Sequence, residues 1–299
     1  MNNNYDDGFQ LLKARDFSSI ITDTFTYIRL NIKVLGKALL YFVIPLLILL
    51  SFFMYLYFQT IFDFMPVEGQ DPELYAQEID SGISSMFGTL SMTLIISLVA
   101  ITALCVIIYN HMALTVERGH GNVEIAELWN RMKQDLWMVA LLIISAGFAT
   151  VLGALFFILP GIFIYVKLSI LPAAYIHERR GFTDSFSRSW NLTEGHWWFT
   201  FGIIIVMNLL VSFISYALTI PIGIIFMFVS LSGVETDPGS IGMSISIIYG
   251  LMILVSYIFY VLPYASLGLH YYNLLERKEG THLRQRIEEL GSKPQSDTS

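Results

Sequence analysis

The chain has 299 residues, of which 55% are hydrophobic and 14% charged, with a mean hydropathy of +0.62. A soluble domain carries about 25% charged residues, so this composition excludes an ordinary water-soluble globular protein. With its repeated apolar runs of about 20 residues it points to the membrane class. The formal net charge is −7, and the single cysteine, Cys105, excludes an intramolecular disulfide and argues against a Cys/His metal cluster.

Residues 1–16 are polar, and no signal peptide is expected, because the first 37 residues carry charges throughout. Ile21, Phe25, Ile28, Ile32 and Leu35 fall at helical spacing, with Thr22, Asp23, Thr26, Arg29 and Lys33 opposite. This reads as an amphipathic helix on the membrane surface within an N-terminal segment, 1–37. Its plainer alternative is a soluble helix packed on the protein's own loops. A first span is expected over 38–62, with Pro45 near its start, where a lost hydrogen bond is more easily satisfied. Residues 63–85 hold six acidic side chains and no Lys or Arg. A second span at 86–109 closes on Glu117-Arg118-Gly119, and Ile125, Leu128, Trp129, Met132 and Leu136 mark a second amphipathic helix over 123–136.

A third span is expected over 136–159, a tight turn at Pro160-Gly161, and a fourth span over 162–177. Phe182, Phe186 and Trp190 then define a third amphipathic helix, with Thr183 as its N-cap. The fifth span, 197–231, is too long for one straight helix, and Pro221 with Gly223 should break or kink it. Residues 232–240 are acidic, and the sixth span, 241–275, contains Pro263. The tail, 276–299, carries a short helix at 283–290. The spans form one membrane domain, 38–275.

Placing both termini and the loops after spans two and four on one side gathers 16 of the 17 Lys and Arg residues there. The positive-inside rule makes that side cytoplasmic. Spans two, four and six end alike, on Glu117-Arg118-Gly119, Glu178-Arg179-Arg180-Gly181 and Glu276-Arg277-Lys278-Glu279-Gly280. Trp129-Asn130 and Trp137 recur 61 residues later as Trp190-Asn191 and Trp198. Three repeats are therefore expected, about 18–119, 123–181 and 182–280, each a cytoplasmic amphipathic helix followed by a transmembrane hairpin. Membrane scaffolds and transporters are both built this way.

Lys167 is the one charge set clearly inside a span, where burial of an ammonium costs about 3 kcal/mol. It reads as a site for an anionic headgroup or solute, or as a lysine that snorkels or pairs. Asn208 reads as an interhelical hydrogen-bond donor that could line a solute route. Arg179, Arg180 and Arg188 could meet lipid phosphates, or could simply set topology. Trp129, Trp137, Trp190, Trp197 and Trp198 fit interfacial anchors. His111 and His270 could form a polar cluster with Asn110 and His177, but their spacing does not favour a metal site. The sequence contains no H-E-x-x-H, G-x-S-x-G or P-loop pattern, and Gly119-His120-Gly121 follows no strand. No catalytic residues, cofactor, metal or nucleic-acid partner are expected.

Leu159-Pro160-Gly161, Pro172, Glu178, Gly181, Ser185, Ser189-Trp190, Leu192-Thr193 and Gly195-His196-Trp197 carry a resemblance. In them the chain resembles the bacterial membrane-domain family found fused to some glycerophosphodiester phosphodiesterases, and related small inner-membrane proteins. The fused proteins carry their activity on a separate soluble barrel that this chain lacks. The resemblance implies a multi-pass membrane protein, not an enzyme, and no catalytic residue carries over. The expectation is an all-α protein of the bacterial inner membrane with six spans in three hairpins and both termini cytoplasmic. It would be a non-catalytic scaffold or accessory component in contact with lipids and other membrane proteins. The alternative is a transporter or channel for an anionic or amphiphilic solute, which would need a polar cavity reaching Lys167. An enzyme acting on lipid is a third possibility.

Overall fold

The computed structural model describes residues 9–63, 72–119, 121–231 and 238–280, and among these it contains helices and no strand. The expected tail helix at 283–290, residues 64–71 of the first acidic stretch and residues 232–237 of the second lie outside the described residues. Among the described residues six helical stretches are long and apolar enough to cross a membrane: Phe17–Ile61, Ser81–Arg118, Ile125–Phe156, Ile158–Glu178, Trp197–Ile225 and Ile247–Glu279. An all-α membrane protein with six candidate spans is the architecture.

Helix α1 (Phe17–Ala38) starts on Asp16, whose Oδ1 accepts the Ser19 N–H at 2.7 Å, satisfying one of the orphan donors of a helix start. It runs through a π-helical turn (Leu39–Val43) into α2 (Ile44–Asp63). That turn has a local cause. Pro45 offers no N–H and its ring crowds the carbonyl four residues back, so the helix widens ahead of it and the Ile44 N–H reaches Leu39 O. The amphipathic segment at 21–35 is therefore not a separate element but the first part of a long helix. The same holds for 123–136, which opens α4 (Ile125–Phe156). Before it, α3 (Pro72–Arg118) runs 47 residues, about 70 Å of rise against the ~30 Å of a bilayer core.

The chain turns after α4 at Phe157, which is extended (φ −161°, ψ 152°), and α5 (Ile158–Leu168) begins at once. The turn thus falls before Pro160-Gly161, not on it. Pro160 is the third residue of α5, where its N–H would have had no partner. Gly161 lets α5 approach α4: a Cβ there would lie 2.7 Å from Ala154 Cβ and 3.0 Å from its Cα. Small residues facing each other are how membrane helices pack closely. After a break at Ser169-Ile170, α6 (Leu171–Glu178) starts with Pro172 at its second position. Next, α7 (Phe182–Thr193) is capped at Gly181 with no side-chain bond, so Thr183 is not the cap. Helix α8 (Trp197–Leu231) runs through Pro221 unbroken. The sixth span is broken: α9 (Pro238–Phe259) ends at Tyr260, and α10 (Val261–Glu279) carries Pro263 in its first turn.

The chain divides into two compact units that cut across the repeat boundaries expected from sequence. The first comprises residues 1–35, 105–207 and 262–299. Its core is the end of α3 and the length of α10. Residues 105–115 and 265–274 are buried on every face, the polar Asn110, His111, Ser266, His270 and Asn273 included. Gly268 makes this possible, since a Cβ there would sit 2.4 Å from Met112 Sδ. The second unit comprises residues 36–104 and 208–261. In it α2 packs on α9, with Ser51 Oγ donating to Gly250 O at 3.3 Å and Phe58 against Tyr249 at 4.7 Å.

Two outcomes follow. Gly161→Ala forces α5 off the Ala154 backbone and costs about 1–3 kcal/mol, whereas Gly88→Ala, where a Cβ meets nothing within 4 Å, is neutral or stabilising; denaturant titration in detergent separates them. The Ser19 bonds hold the Asp16 carboxyl below its ordinary range. A depressed folded pKa stabilises above the unfolded value and is lost as pH falls through the folded one, so Asp16→Asn flattens the acid limb of the Tm–pH profile.

Candidate functional site

The polar chemistry of the first unit gathers where α3, α6 and α10 end. Asp135 on α4 is 1% exposed and is shared by two partners: Asn110 Nδ2 donates to Oδ2 at 2.8 Å, and Arg179 Nη1 pairs with Oδ1. Arg179 Nη2 closes the triangle on Asn110 Oδ1 at 3.1 Å. Arg179 is the C-cap of α6 and has a left-handed backbone (φ 52°), a position glycine usually takes. The guanidinium's pairing with a buried carboxylate offsets that local strain.

Glu178 forms a second junction. Its Oε1 accepts Arg188 Nε at 2.6 Å and the Tyr271 hydroxyl at 2.8 Å, and its Oε2 lies 2.5 Å from Arg180 Nε. Arg188 Nη1 also pairs with Glu279 at 2.6 Å. Burial acts to lower the Arg188 pKa, but the bonds to Glu279 and Glu178 outweigh it and hold the guanidinium above its ordinary value. The preceding Glu-Arg pair behaves alike: Glu117 takes Arg131 through both guanidinium nitrogens (3.0 and 2.5 Å), and Arg118 meets Glu127 at 2.6 Å. A third knot ties in the N-terminal segment. Arg15, 2% exposed, donates to Leu11 O and Asp23, its N–H reaches Asn273 Oδ1 at 2.7 Å, and Arg277 Nη2 donates to Arg15 O at 2.7 Å.

Lys167 is 5% exposed. Its Nζ donates to Trp190 O at 3.3 Å and lies over the rings of Trp190 (5.3 Å) and Phe163 (5.8 Å). Its own carbonyl, at the break between α5 and α6, accepts the Ser189 hydroxyl at 2.8 Å and lies 3.5 Å from that of Thr193. Helix α7 therefore turns its small hydroxyl face inward. Ser185, Ser189 and Thr193 are fully buried, while Trp190 is 40% exposed and Phe182 and Phe186 are half-buried.

Of the other sequence candidates, Asn208 is half-buried on α8 and has a partner; it belongs to the second unit, Lys167 to the first. Arg179 and Arg180 are partly exposed but engaged with Asp135 and Glu178. Trp137 and Trp198 project outward (74% and 78% exposed), Trp129 and Trp190 less so, and Trp197 is packed on Phe163 with its indole N–H on Phe163 O at 3.3 Å. His111, His177 and His270 each bond a different partner. His111 bonds Tyr27 (2.6 Å), His177 bonds Tyr272 (3.0 Å) and His270 bonds Thr200 (2.8 Å). Thr200 is fully buried, and its hydroxyl also lies 3.0 Å from His196 O. Among the described residues no three His, Cys, Asp or Glu side chains converge to hold a metal ion.

A cleft of about 460 Å³ opens beside these junctions, walled by Glu117, His177, Glu178, Arg188, Tyr271 and Tyr272. Asp135 and Tyr271, which organise the knots, were not singled out in sequence. The available signal was an acidic residue at the mouth of a span, which persists in an apolar setting only with a partner. The family model of a domain of unknown function (DUF7847) matches residues 130–274, a little under half of the chain. No curated protein and no solved structure matches.

Removing Arg179 strands a buried carboxylate, whereas removing the Asp135 charge leaves a guanidinium that water can reach. Arg179→Ala should cost about 3 kcal/mol and Asp135→Asn about 1 kcal/mol, read from denaturant unfolding of each variant in the same detergent.

Proposed function

We propose that this chain is a non-catalytic, multi-pass protein of the bacterial inner membrane, acting as a scaffold or accessory component that contacts lipids and partner proteins. The observation that carries this reading is the state of Lys167. The cation that a solute route would need is held against α7 by a backbone carbonyl and two aromatic rings. It lines neither the 460 Å³ cleft nor the apolar pocket described below. Arg118, Arg179 and Arg180 of the Glu-Arg motifs are engaged with acidic neighbours, and Arg277 with Asn273 and the Arg15 carbonyl.

In this reading the six spans are three hairpins in an internally repeated chain. Both termini face the cytoplasm, as the confinement of 16 of 17 cationic residues to one side requires. Helix α7 lies in the membrane interface with its aromatic edge toward lipid, supported by the half-exposed Phe182, Phe186 and Trp190. The resemblance to the membrane domain fused to glycerophosphodiester phosphodiesterases agrees with a part that positions chemistry carried elsewhere.

The test uses purified protein in liposomes loaded with carboxyfluorescein. Release equals that of empty liposomes, and Lys167→Met keeps its Tm within a few degrees, since an apolar replacement of a buried ion is often neutral. Solute movement that Lys167→Met abolishes would overturn the reading in favour of a transporter. In cells, a cysteine at Glu73 takes a membrane-impermeant maleimide from outside, and one at Lys133 only after permeabilisation; the reverse pattern inverts the topology.

A further inference from the structure

A second cavity, about 350 Å³, lies within the membrane-spanning segments of the first unit. Its wall comes from three places: Leu142, Gly147 and Thr150 on α4; Tyr165, Ser169 and Pro172 around the α5–α6 break; and Tyr264 and Leu267 just after the break that opens α10. Both interrupted spans thus contribute to one pocket. Discontinuous helices put unpaired backbone groups where a ligand can use them. Leu171, the first residue of α6, and Pro172, which has no N–H, stand at the pocket wall.

The lining defines the occupant. It contains no Asp, Glu, Lys, Arg or His, so a charged group would enter without compensation. Its polar atoms are hydroxyls. Beside Tyr264, with the rings edge-to-face at 6.2 Å, stands Tyr109, fully buried, whose hydroxyl has no partner among the described residues and is an electrostatic neighbour of Tyr165. A buried hydroxyl left unbonded is costly, and the cavity opens outward past Gly147, Val151 and Tyr165, which are exposed, so a molecule can enter it from the side. The volume is near the lower end of the ~300–1,000 Å³ of small-molecule sites, which suits one chain or one compact body and not a two-chain phospholipid.

We propose that this pocket binds one uncharged amphiphile drawn from the surrounding bilayer. Its apolar body rests on Leu142, Leu168 and Leu267, and its single hydroxyl or carbonyl group reaches the hydroxyls of Tyr109, Tyr165 and Tyr264. The site rests on the membrane-spanning helices and not on the scaffold reading, so loss of one leaves the other standing.

The test uses the full chain in phosphatidylcholine nanodiscs with a decanol carrying a diazirine near its methyl end. Photolabel maps to residues 142–151, 165–172 or 264–267, and 1-decanol displaces it. Decanoate at pH 8 is about tenfold or more weaker, because it carries a charge into the pocket. Gly147→Leu, at a position where a Cβ meets nothing within 4 Å, fills the space and cuts labelling about fivefold or more. Tyr109→Phe keeps or raises Tm and shrinks the advantage of decanol over decane by about threefold to tenfold. Label spread evenly over the lipid-facing helices, or undiminished in Gly147→Leu, overturns the site. An unchanged decanol-to-decane ratio in Tyr109→Phe overturns the assignment of the polar end.

Discussion

In an apolar solvent every backbone N–H and C=O has to find its partner inside the protein. The fourth candidate span breaks that rule by sequence, because Pro172 has no N–H to return to the turn before it. The chain separates there into α5 and α6, and Lys167 is left with a carbonyl that its own helix no longer covers. Ser189 on α7 supplies the missing donor, with the Thr193 hydroxyl one turn on at 3.5 Å. That requirement explains the orientation of α7. Its aromatic stripe would be the natural face to bury in water, yet the small hydroxyl face goes inward because hydroxyls can reach a stranded carbonyl.

The same accounting governs the charges. A glutamate at a helix C-terminus meets the negative end of the helix dipole, an unfavourable place for an acid. Glu117 and Glu178 both occupy it, and both are bound by an arginine of the helix that follows, Arg131 and Arg188. The Glu-Arg pairs thus act as clamps across turns, and Arg179 reaches further, to the carboxylate of Asp135. The cations that cluster at these helix ends tie them together.

This explains what could and could not be read in advance. Span number and the helical class follow from runs of apolar residues, a one-dimensional property. Boundaries were less legible. Pro160 and Pro221 look like interruptions in a linear reading, but the first stands in a first turn where no N–H is needed and the second lies in a helix that continues through it. Pro172 and Pro263 follow true breaks, and proline alone does not distinguish these cases. Lys167 was legible as anomalous, but not its partner, because Trp190 accepts through a backbone oxygen that carries no sequence signature. Asn110, Asp135 and Arg179 come from three different helices, and only the fold brings them together.

The break at Ser169-Ile170 has two sides with different solutions. Toward α7, protein hydroxyls complete the backbone; toward α4 and α10, Ser169 and Pro172 face a cavity. On that side α4 presents Leu142, Ile143, Thr150 and Val151 around the two small residues Ala146 and Gly147. Small residues elsewhere along α4 have a packing reason: Gly153 and Ala154 meet Gly161. Gly147 meets no such neighbour: it is exposed, and a Cβ there would touch nothing within 4 Å. Close packing accounts for the first pair of small residues, and at Gly147 the missing side chain leaves the cavity open to the outside of the helix bundle.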